Sequence, residues 1–324
     1  GGYGNRGIIY RNNIFRDCVE NSLDLKDSKN IVIEGNIFYR TMGSSGFLDN
    51  KGGGNRDNLA SVVSGYKETF MEDIIVRNNI FFDTASPIRI YSGMKIYNNT
   101  FVADNYDYQG YNTNAPDKGK HPLYFSARQQ SADSTGQAYV NNISVNHNSA
   151  EISIYFKNDP RQYFDYNLYY HDGKFGDTLT FGKGTSSGNW DRLTFKEWQT
   201  ELKNVPKIKG NEEHSIVGKS PGFITNDLRP DSSDIEGKFD SSVMKSISDL
   251  PSYFNFQLAD NSPAIDAGGP LTAVAKSDSG TGTTLIVDDA GFFMDGFGVT
   301  GGDEIMIGTS KTAVTITDVN YASQ

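Results

Sequence analysis

Basic and phenolic side chains occupy alternate positions in several short segments whose other residues are apolar. In a β-strand, such alternation places the polar side chains on one face and the apolar ones on the other. Arg can bind a carboxylate through two hydrogen bonds, and Tyr offers a flat apolar ring with a polar edge. Together they suit an extended sugar chain that carries carboxylates. We assign twelve residues to this face: Asp24, Lys26, Asp49, Lys51, Tyr66, Lys67, Arg89, Tyr91, Tyr124, Arg128, Tyr155 and Lys157.

These residue types could perform β-elimination on a uronate. The reaction needs a positive group beside the substrate carboxylate, a base for the C5 proton and an acid for the leaving oxygen. Arg89 is the candidate for the first task. Lys67 or Lys51 could be the base, since a lysine near other cations can lose its proton. Tyr91 or Tyr124 could donate the proton.

A repeat in the sequence explains how such distant residues could meet. An Asn followed by a short apolar pair recurs at spacings of 23, 43, 20, 43 and 25 residues, and the two long gaps hold an insertion or an extra degenerate turn. Alternating segments at 23–26, 88–91, 123–126 and 152–157 lie about half a period away. The pattern predicts a β-solenoid of stacked coils. The repeated residues are Asn13, Asn36, Asn79, Asn99, Asn142 and Asn167.

In a solenoid, the recurring Asn would occupy a turn with positive φ, and its amide would bond to the coils above and below. Neighbouring coils lie about 4.8 Å apart, so the polar face of the alternating segments becomes one continuous row. We place 48–51 and 64–67, from the first long gap, on the same face. The sequence thus predicts a groove lined by cations and aromatic rings.

Two segments carry a family resemblance: "NSLDLKDSKNIVIEGNIFYRT" at 21–41 and "MEDIIVRNNIFFDTASPIRIYSG" at 71–93. They resemble the right-handed parallel β-helix superfamily of pectate lyase-like polysaccharide lyases and related glycoside hydrolases. The resemblance covers roughly residues 7–170. The chain after residue 170 resembles the end of such helices, with a short helix from Phe195 to Gln199 and closing strands and turns at 221–223 and 261–266.

The resemblance implies an all-β fold and a carbohydrate-active protein that has a polysaccharide as its partner. The activity that we expect first is that of a polysaccharide lyase. It also implies a possible Ca²⁺, for which Asp24, Asp49 and Asp57 are candidate ligands. A glycoside hydrolase is one alternative, and Asp24 with Asp49 could be its two carboxylates. Hydrolases of this fold usually show clustered Asp motifs, and this chain has no convincing one. A non-catalytic glycan-binding or adhesive solenoid, including a phage module, is the other.

The C-terminal part differs from the repeats in its residue composition and in the spacing of its strand-like runs. Strand-like runs at 284–287, 304–307 and 313–316 are separated by turns rich in Gly and Asp. We expect two units: a parallel β-helix over 1–268 with irregular last coils, and a small, incomplete antiparallel β module over 269–324. The module is expected to pack on the end of the solenoid or to need residues missing from this chain, and to have a structural role, since open strand edges invite aggregation.

Composition narrows the possible functions. The net charge of −10 disfavours binding to nucleic acid, and no apolar run approaches the length of a membrane span. The single cysteine, Cys18, excludes an internal disulfide framework and a Cys-based zinc site. The chain starts without Met or a signal peptide, and both ends look cut from a longer protein. We expect a monomer that is secreted or lies at the cell surface.

Overall fold

Each of the first six coils contributes one short strand to each of three sheets of parallel strands, here called sheets A, B and C, and the seventh coil contributes to sheets A and B. The computed structural model describes residues 5–16, 18, 21–25, 28–39, 60–64, 72–82, 84, 86–90, 94–103, 123–125, 136–146, 153–154, 162–173, 179–184, 190–205, 208–224, 256–278 and 282–321. The stacked parallel strands form a parallel β-helix, which confirms the predicted fold class.

The strands and the one α-helix of the described residues follow in chain order. They are β1 (Arg6–Arg11), β2 (Ile14–Arg16), β3 (Leu23–Leu25), β4 (Lys29–Glu34), β5 (Ile37–Tyr39), β6 (Ala60–Ser64), β7 (Glu72–Arg77), β8 (Ile80–Phe82), β9 (Ser86–Ile90), β10 (Met94–Tyr97), β11 (Thr100–Val102), β12 (Leu123–Phe125), β13 (Ala138–Val140), β14 (Ile143–Val145), β15 (Ser153–Ile154), β16 (Gln162–Asp165), β17 (Leu168–Tyr170), β18 (Phe181–Gly184), β19 (Trp190–Leu193), α1 (Phe195–Asn204), β20 (Ile208–Lys209), β21 (Ile216–Val217), β22 (Glu304–Ile305) and β23 (Val314–Thr315).

Sheet A has the order β1-β4-β7-β10-β13-β16-β20, and sheet B has the order β2-β5-β8-β11-β14-β17-β21. Sheet C runs β3-β6-β9-β12-β15-β18-β19, and its last strand, β19, is antiparallel to β18. Strands β4 and β7 pair directly, as do β10 and β13. Each long gap in the repeat is therefore an insertion within one coil and not an extra turn.

The turn between sheets A and B is two residues long in the first six coils. Its first residue has a left-handed φ of 54° to 63° in each of them, which Asn and Gly adopt readily. The repeated Asn is the second residue, so the expectation that it would itself hold the positive φ is wrong. The left-handed residues are Asn12, Gly35, Asn78, Asn98, Asn141 and Tyr166.

The second residue of each turn forms the predicted asparagine ladder. The side-chain oxygen of each Asn accepts the backbone N–H of the Asn one coil earlier, at 2.9 to 3.0 Å. Each amide nitrogen also donates to the next Asn, as from Asn79 to Asn99 at 3.0 Å. The ladder satisfies buried polar groups that the turns would otherwise leave without partners.

Phenylalanines stack inside the solenoid because parallel strands bring equivalent residues into register. The rings of Phe15, Phe38, Phe81 and Phe101 lie 4.7 to 4.9 Å apart and are nearly parallel. The next coil places Ser144 in register with Phe101, and the ring of Tyr139 lies 5.9 Å from that of Phe101 instead. The stack thus ends where the core becomes more polar.

Helix α1 covers the C-terminal end of this core. Thr194 and Glu197 form a capping box at its start, and Trp198 and Leu202 are fully buried. The indole ring of Trp198 stacks on Phe181 at 5.5 Å. The predicted helix is confirmed and extends five residues beyond its expected end at Gln199, to Asn204.

Several described segments after residue 220 pack on the outside of the solenoid. Phe223 and Phe256 pack against a buried outer row of sheet B. Phe292 and Met294 pack against the corresponding outer row of sheet A, which includes Val32. Both faces of these sheets are therefore buried, as in other parallel sheets. The expectation that the C-terminal module packs on the solenoid end is wrong, because its apolar side chains match the flank of the stacked strands.

The C-terminal module is held to sheet A by polar contacts as well. Arg77 pairs with Asp303 at 2.6 Å, and Lys95 with Asp289 at 2.5 Å. The predicted antiparallel pair exists as β22 and β23. The run 284–287 contributes only a bridge from Val287 to Val274. In the described ranges, no helix combines the length and the apolar character that a membrane crossing would require.

Candidate functional site

One row of sheet C brings three of the predicted residues into register. Asp24 pairs with Val63, Val63 with Arg89, and Arg89 with Tyr124. Ser153 follows Tyr124 on the next strand. Asp24 and Tyr124, 100 positions apart, thus share one line of Cα atoms across four coils, and Ser153 extends this line to a fifth, as the solenoid prediction requires.

The burial of neighbouring residues identifies the face to which this row belongs. Leu23, Leu25, Val62 and Ile88 are all buried and belong to the interior core. Successive strand residues alternate between the two faces of a sheet. Asp24, which lies between Leu23 and Leu25, therefore takes an outer position in sheet C, and the backbone register aligns Arg89 and Tyr124 with it.

Spacing along this row follows from the strand count. Arg89 and Tyr124 lie on adjacent strands, about 4.8 Å apart. Asp24 and Arg89 are two strands apart, roughly 10 Å, because β6 lies between them. Sequence reasoning missed β6, whose Val62-Val63 pair does not alternate. The signal that could have found it is the rule of one strand per sheet in every coil.

Nine predicted site residues lie outside the described residues, and their expected roles stay predictions. In chain order each of them lies before or after a strand of sheet C; for example, Lys51 lies between β5 and β6, and Lys67 between β6 and β7. The nine are Lys26, Asp49, Lys51, Tyr66, Lys67, Tyr91, Arg128, Tyr155 and Lys157.

The connections of the coils differ in length in a systematic way. Turns from sheet A to sheet B have two residues in six coils, whereas the connections into sheet C include 40–59 and 103–122. Connections out of sheet C include 65–71 and 126–137. In solenoids, insertions concentrate on one side of the molecule, which is often the binding side. Here they border sheet C.

Arg77, a basic residue on sheet A, is already engaged in ion pairs. Arg77 donates to Glu34 at 2.7 Å and to both oxygens of Asp303. Burial alone would lower the pKa of Arg77, but the bonds to Asp303 and the nearby charge of Glu34 outweigh it, so the pKa is raised. Burial raises the pKa of Tyr97 to about 12. These groups hold the C-terminal module and are unsuited to a ligand.

Metal ligands were expected among Asp24, Asp49 and Asp57. Only Asp24 lies in the described part of the chain. Within that part, no three His, Cys, Asp or Glu side chains come together as a metal site would need. A comparison of the chain with protein-family models, with curated proteins and with solved structures finds no match.

Proposed function

We propose that this parallel β-helix binds an anionic, uronate-containing polysaccharide along the outer face of sheet C and cleaves it by β-elimination. The function resembles that of pectate lyase-like proteins. The observation that carries the proposal is the row in which Arg89 and Tyr124 occupy adjacent strands. Flanking connections that are long only around this sheet support the same face.

A cation beside an aromatic residue matches the chemistry of a uronate chain. The guanidinium of Arg can bind the sugar carboxylate through two hydrogen bonds, and a Tyr ring can pack against the apolar face of a pyranose. Repetition at about 4.8 Å lets successive coils bind successive parts of one extended chain. The outer faces of sheets A and B are packed against the C-terminal segments, which favours sheet C as the binding face.

The proposed reaction assigns one task to each group. Arg89 neutralises the substrate carboxylate, which makes the C5 proton more acidic. Lys67 or Lys51 accepts that proton, and the electron pair of the C5–H bond forms the C4–C5 double bond. The C4–O4 bond breaks, and Tyr91 or Tyr124 protonates the departing oxygen. The products are an unsaturated uronate and a new hydroxyl group, so atoms and electrons balance.

The test is to incubate the protein with alginate, pectate and glycosaminoglycans, with calcium and with a chelator. Ultraviolet absorbance of unsaturated uronates should rise with at least one of these polymers. Binding on a glycan array without a rise in ultraviolet absorbance would support the sugar-binding face and overturn the proposed β-elimination. The absence of both binding and turnover with every polymer would overturn the whole proposal.

A further inference from the structure

The asparagine ladder ends at two residues that together replace one Asn. In the seventh coil, Ser215 takes the ladder position, and its Oγ accepts the backbone N–H of Asn167 at 2.9 Å. Ser has no carbonyl oxygen for the amide nitrogen of Asn167. That nitrogen donates to Oε2 of Glu212 instead, at 3.1 Å. Glu212 is thus the last acceptor of the ladder.

Glu212 is a carboxyl group without access to solvent, since its residue exposure is 0 %. Tyr169 donates to its Oε1 at 2.8 Å, and the hydroxyl of Ser215 donates to its Oε2. Both hydroxyl groups can also accept a hydrogen bond, so the cluster can hold the neutral acid as well as the carboxylate. No cation of the described residues pairs with Glu212, so its burial disfavours the ionised form.

The segment that carries Glu212 is backbone-strained. Gly210, Asn211 and Glu212 have φ values of 81°, 53° and 55°, three left-handed residues in succession. A Cβ on Gly210 would lie 2.5 Å from the carbonyl oxygen of Phe164, so the loop is tightly seated on β16. Strain of this kind persists only where surrounding contacts maintain it. Loss of the Glu212 contacts should therefore release the loop.

A second titratable group lies two residues further on. Nδ1 of His214 lies 2.8 Å from Oδ2 of Asp165, and its backbone N–H donates to Oδ1 of the same carboxylate. The imidazole stacks on Tyr166 at 4.6 Å and is 57 % exposed. A protonated His214 forms an ion pair with the buried Asp165.

We propose that the closing coil, residues 208–217, is a proton-operated latch that seats on β16 and β17 when Glu212 and His214 hold protons and loosens when they release them. The proposal is independent of any sugar chemistry at sheet C.

Other charged groups around the latch act in the same direction or are exposed. Asp165 faces Glu212 and raises its pKa, as a like charge does. Glu213 lies on the loop itself and pairs with Lys203 of α1 at 3.4 Å, where both side chains are more than half exposed. Tyr163 on β16 has its pKa raised above its usual range, chiefly by burial, and stays neutral.

The direction of the pH dependence follows from linkage. Burial raises the pKa of Glu212 from 4.5 to about 7, and the hydrogen bond to Asp165 raises that of His214. A group with a raised folded-state pKa stabilises the closed form at low pH and loses this effect as pH rises through that value. Both groups therefore favour closure in mild acid.

Hydrogen exchange can measure the latch directly. The amides of Glu212, His214 and Ile216 donate from the closing coil to the preceding coil, to Phe164, Asp165 and Asn167 respectively. After correction for intrinsic rates, their protection should be about 30-fold greater at about pH 5.5 than at about pH 8.5, from Glu212 alone with a pKa near 7. Amides of β4 in the same sample should show no such ratio.

Variants separate the latch from a general effect of pH. Glu212→Gln should remove most of the ratio, and Glu213→Gln, at the exposed neighbour, should leave it intact. If Glu212→Gln fails to fold, Tyr169→Phe serves instead: it removes one donor to the carboxylate and should move the midpoint to higher pH. Equal protection at both pH values in the natural sequence overturns the latch, as does a pH ratio that Glu212→Gln leaves undiminished.

Discussion

The guanidinium of Arg77 forms two hydrogen bonds with the carboxylate of Asp303, at 2.8 and 2.6 Å, across 226 residues of sequence. Both side chains are about nine-tenths buried. The backbone N–H of Met294 donates to the same carboxylate at 3.0 Å. This pair therefore fixes the C-terminal module to the middle of sheet A.

Asp303→Ala should destabilise the protein by about 3 kcal/mol or more, because it leaves the buried charge of Arg77 without its main partner. Thermal denaturation should show the loss, and limited proteolysis should cut the C-terminal module first. Asp288→Asn is the control, since it breaks only an exposed pair with Lys209 at 3.5 Å and should cost less than about 0.5 kcal/mol. Equal effects would contradict the anchoring role.

Asn79→Ala should cost about 3 kcal/mol or more, since buried groups that lose a hydrogen bond each cost about 1–3 kcal/mol. Asn79 donates to Ile33 at 2.9 Å and to Asn99 at 3.0 Å, and it accepts the backbone N–H of Asn36 at 2.9 Å. Asn78→Gly, one residue earlier, suits its left-handed φ of 54° and should change stability little. Chemical denaturation of the two variants side by side measures the difference.

Arg89→Ala should lower kcat/KM on the responsive uronate polymer by about 10²–10³-fold, in line with the loss of one charge-stabilising donor. Arg89→Lys should recover only part of the activity, because Lys cannot form the two-point contact. Arg6→Ala removes an exposed arginine from sheet A and should leave kcat/KM unchanged. A similar loss in both Ala variants would indicate a non-specific charge effect.

Trp198→Ala should destabilise the solenoid by about 3–5 kcal/mol, the usual cost of removing a buried Trp. The indole is fully buried and contacts Phe181 and Phe164 at the end of the core. Lys196→Ala on the exposed side of the same helix should change stability by less than about 0.5 kcal/mol. A melting temperature unaffected by Trp198→Ala would show that α1 does not close the core.

The ladder and the shared row could be predicted from sequence because both depend on residues that repeat once per coil. Asn36 and Asn79 lie 43 residues apart, yet they bond directly because the insertion lies on the sheet C side of the coil. Arg89 could be placed because it alternates with Ile88. These are local patterns, and the stacking of parallel strands makes them long-range contacts.

Three features were beyond this reasoning. The apolar run Ile74-Ile75-Val76 was itself a signal of burial on both faces, but nothing in it identified Phe292 as the covering residue. Val63 lies between Asp24 and Arg89 in the row of sheet C. Its strand, β6, could not be predicted because its apolar and polar residues do not alternate. The pairing of Glu212 with Ser215 substitutes two residues for one Asn, and no repeat pattern records such a replacement.

The outer face of sheet A is covered by residues that come much later in the sequence, and this order matters during biosynthesis. Val32, Ile75 and Tyr97 leave the ribosome long before Phe292 and Met294, which pack on them. Nascent coils therefore carry an exposed apolar strip until the segment that contains Phe292 and Met294 has been synthesised. A chain whose translation stops before Phe292 would contain stacked coils with the apolar strip of sheet A exposed. Such a surface is prone to self-association.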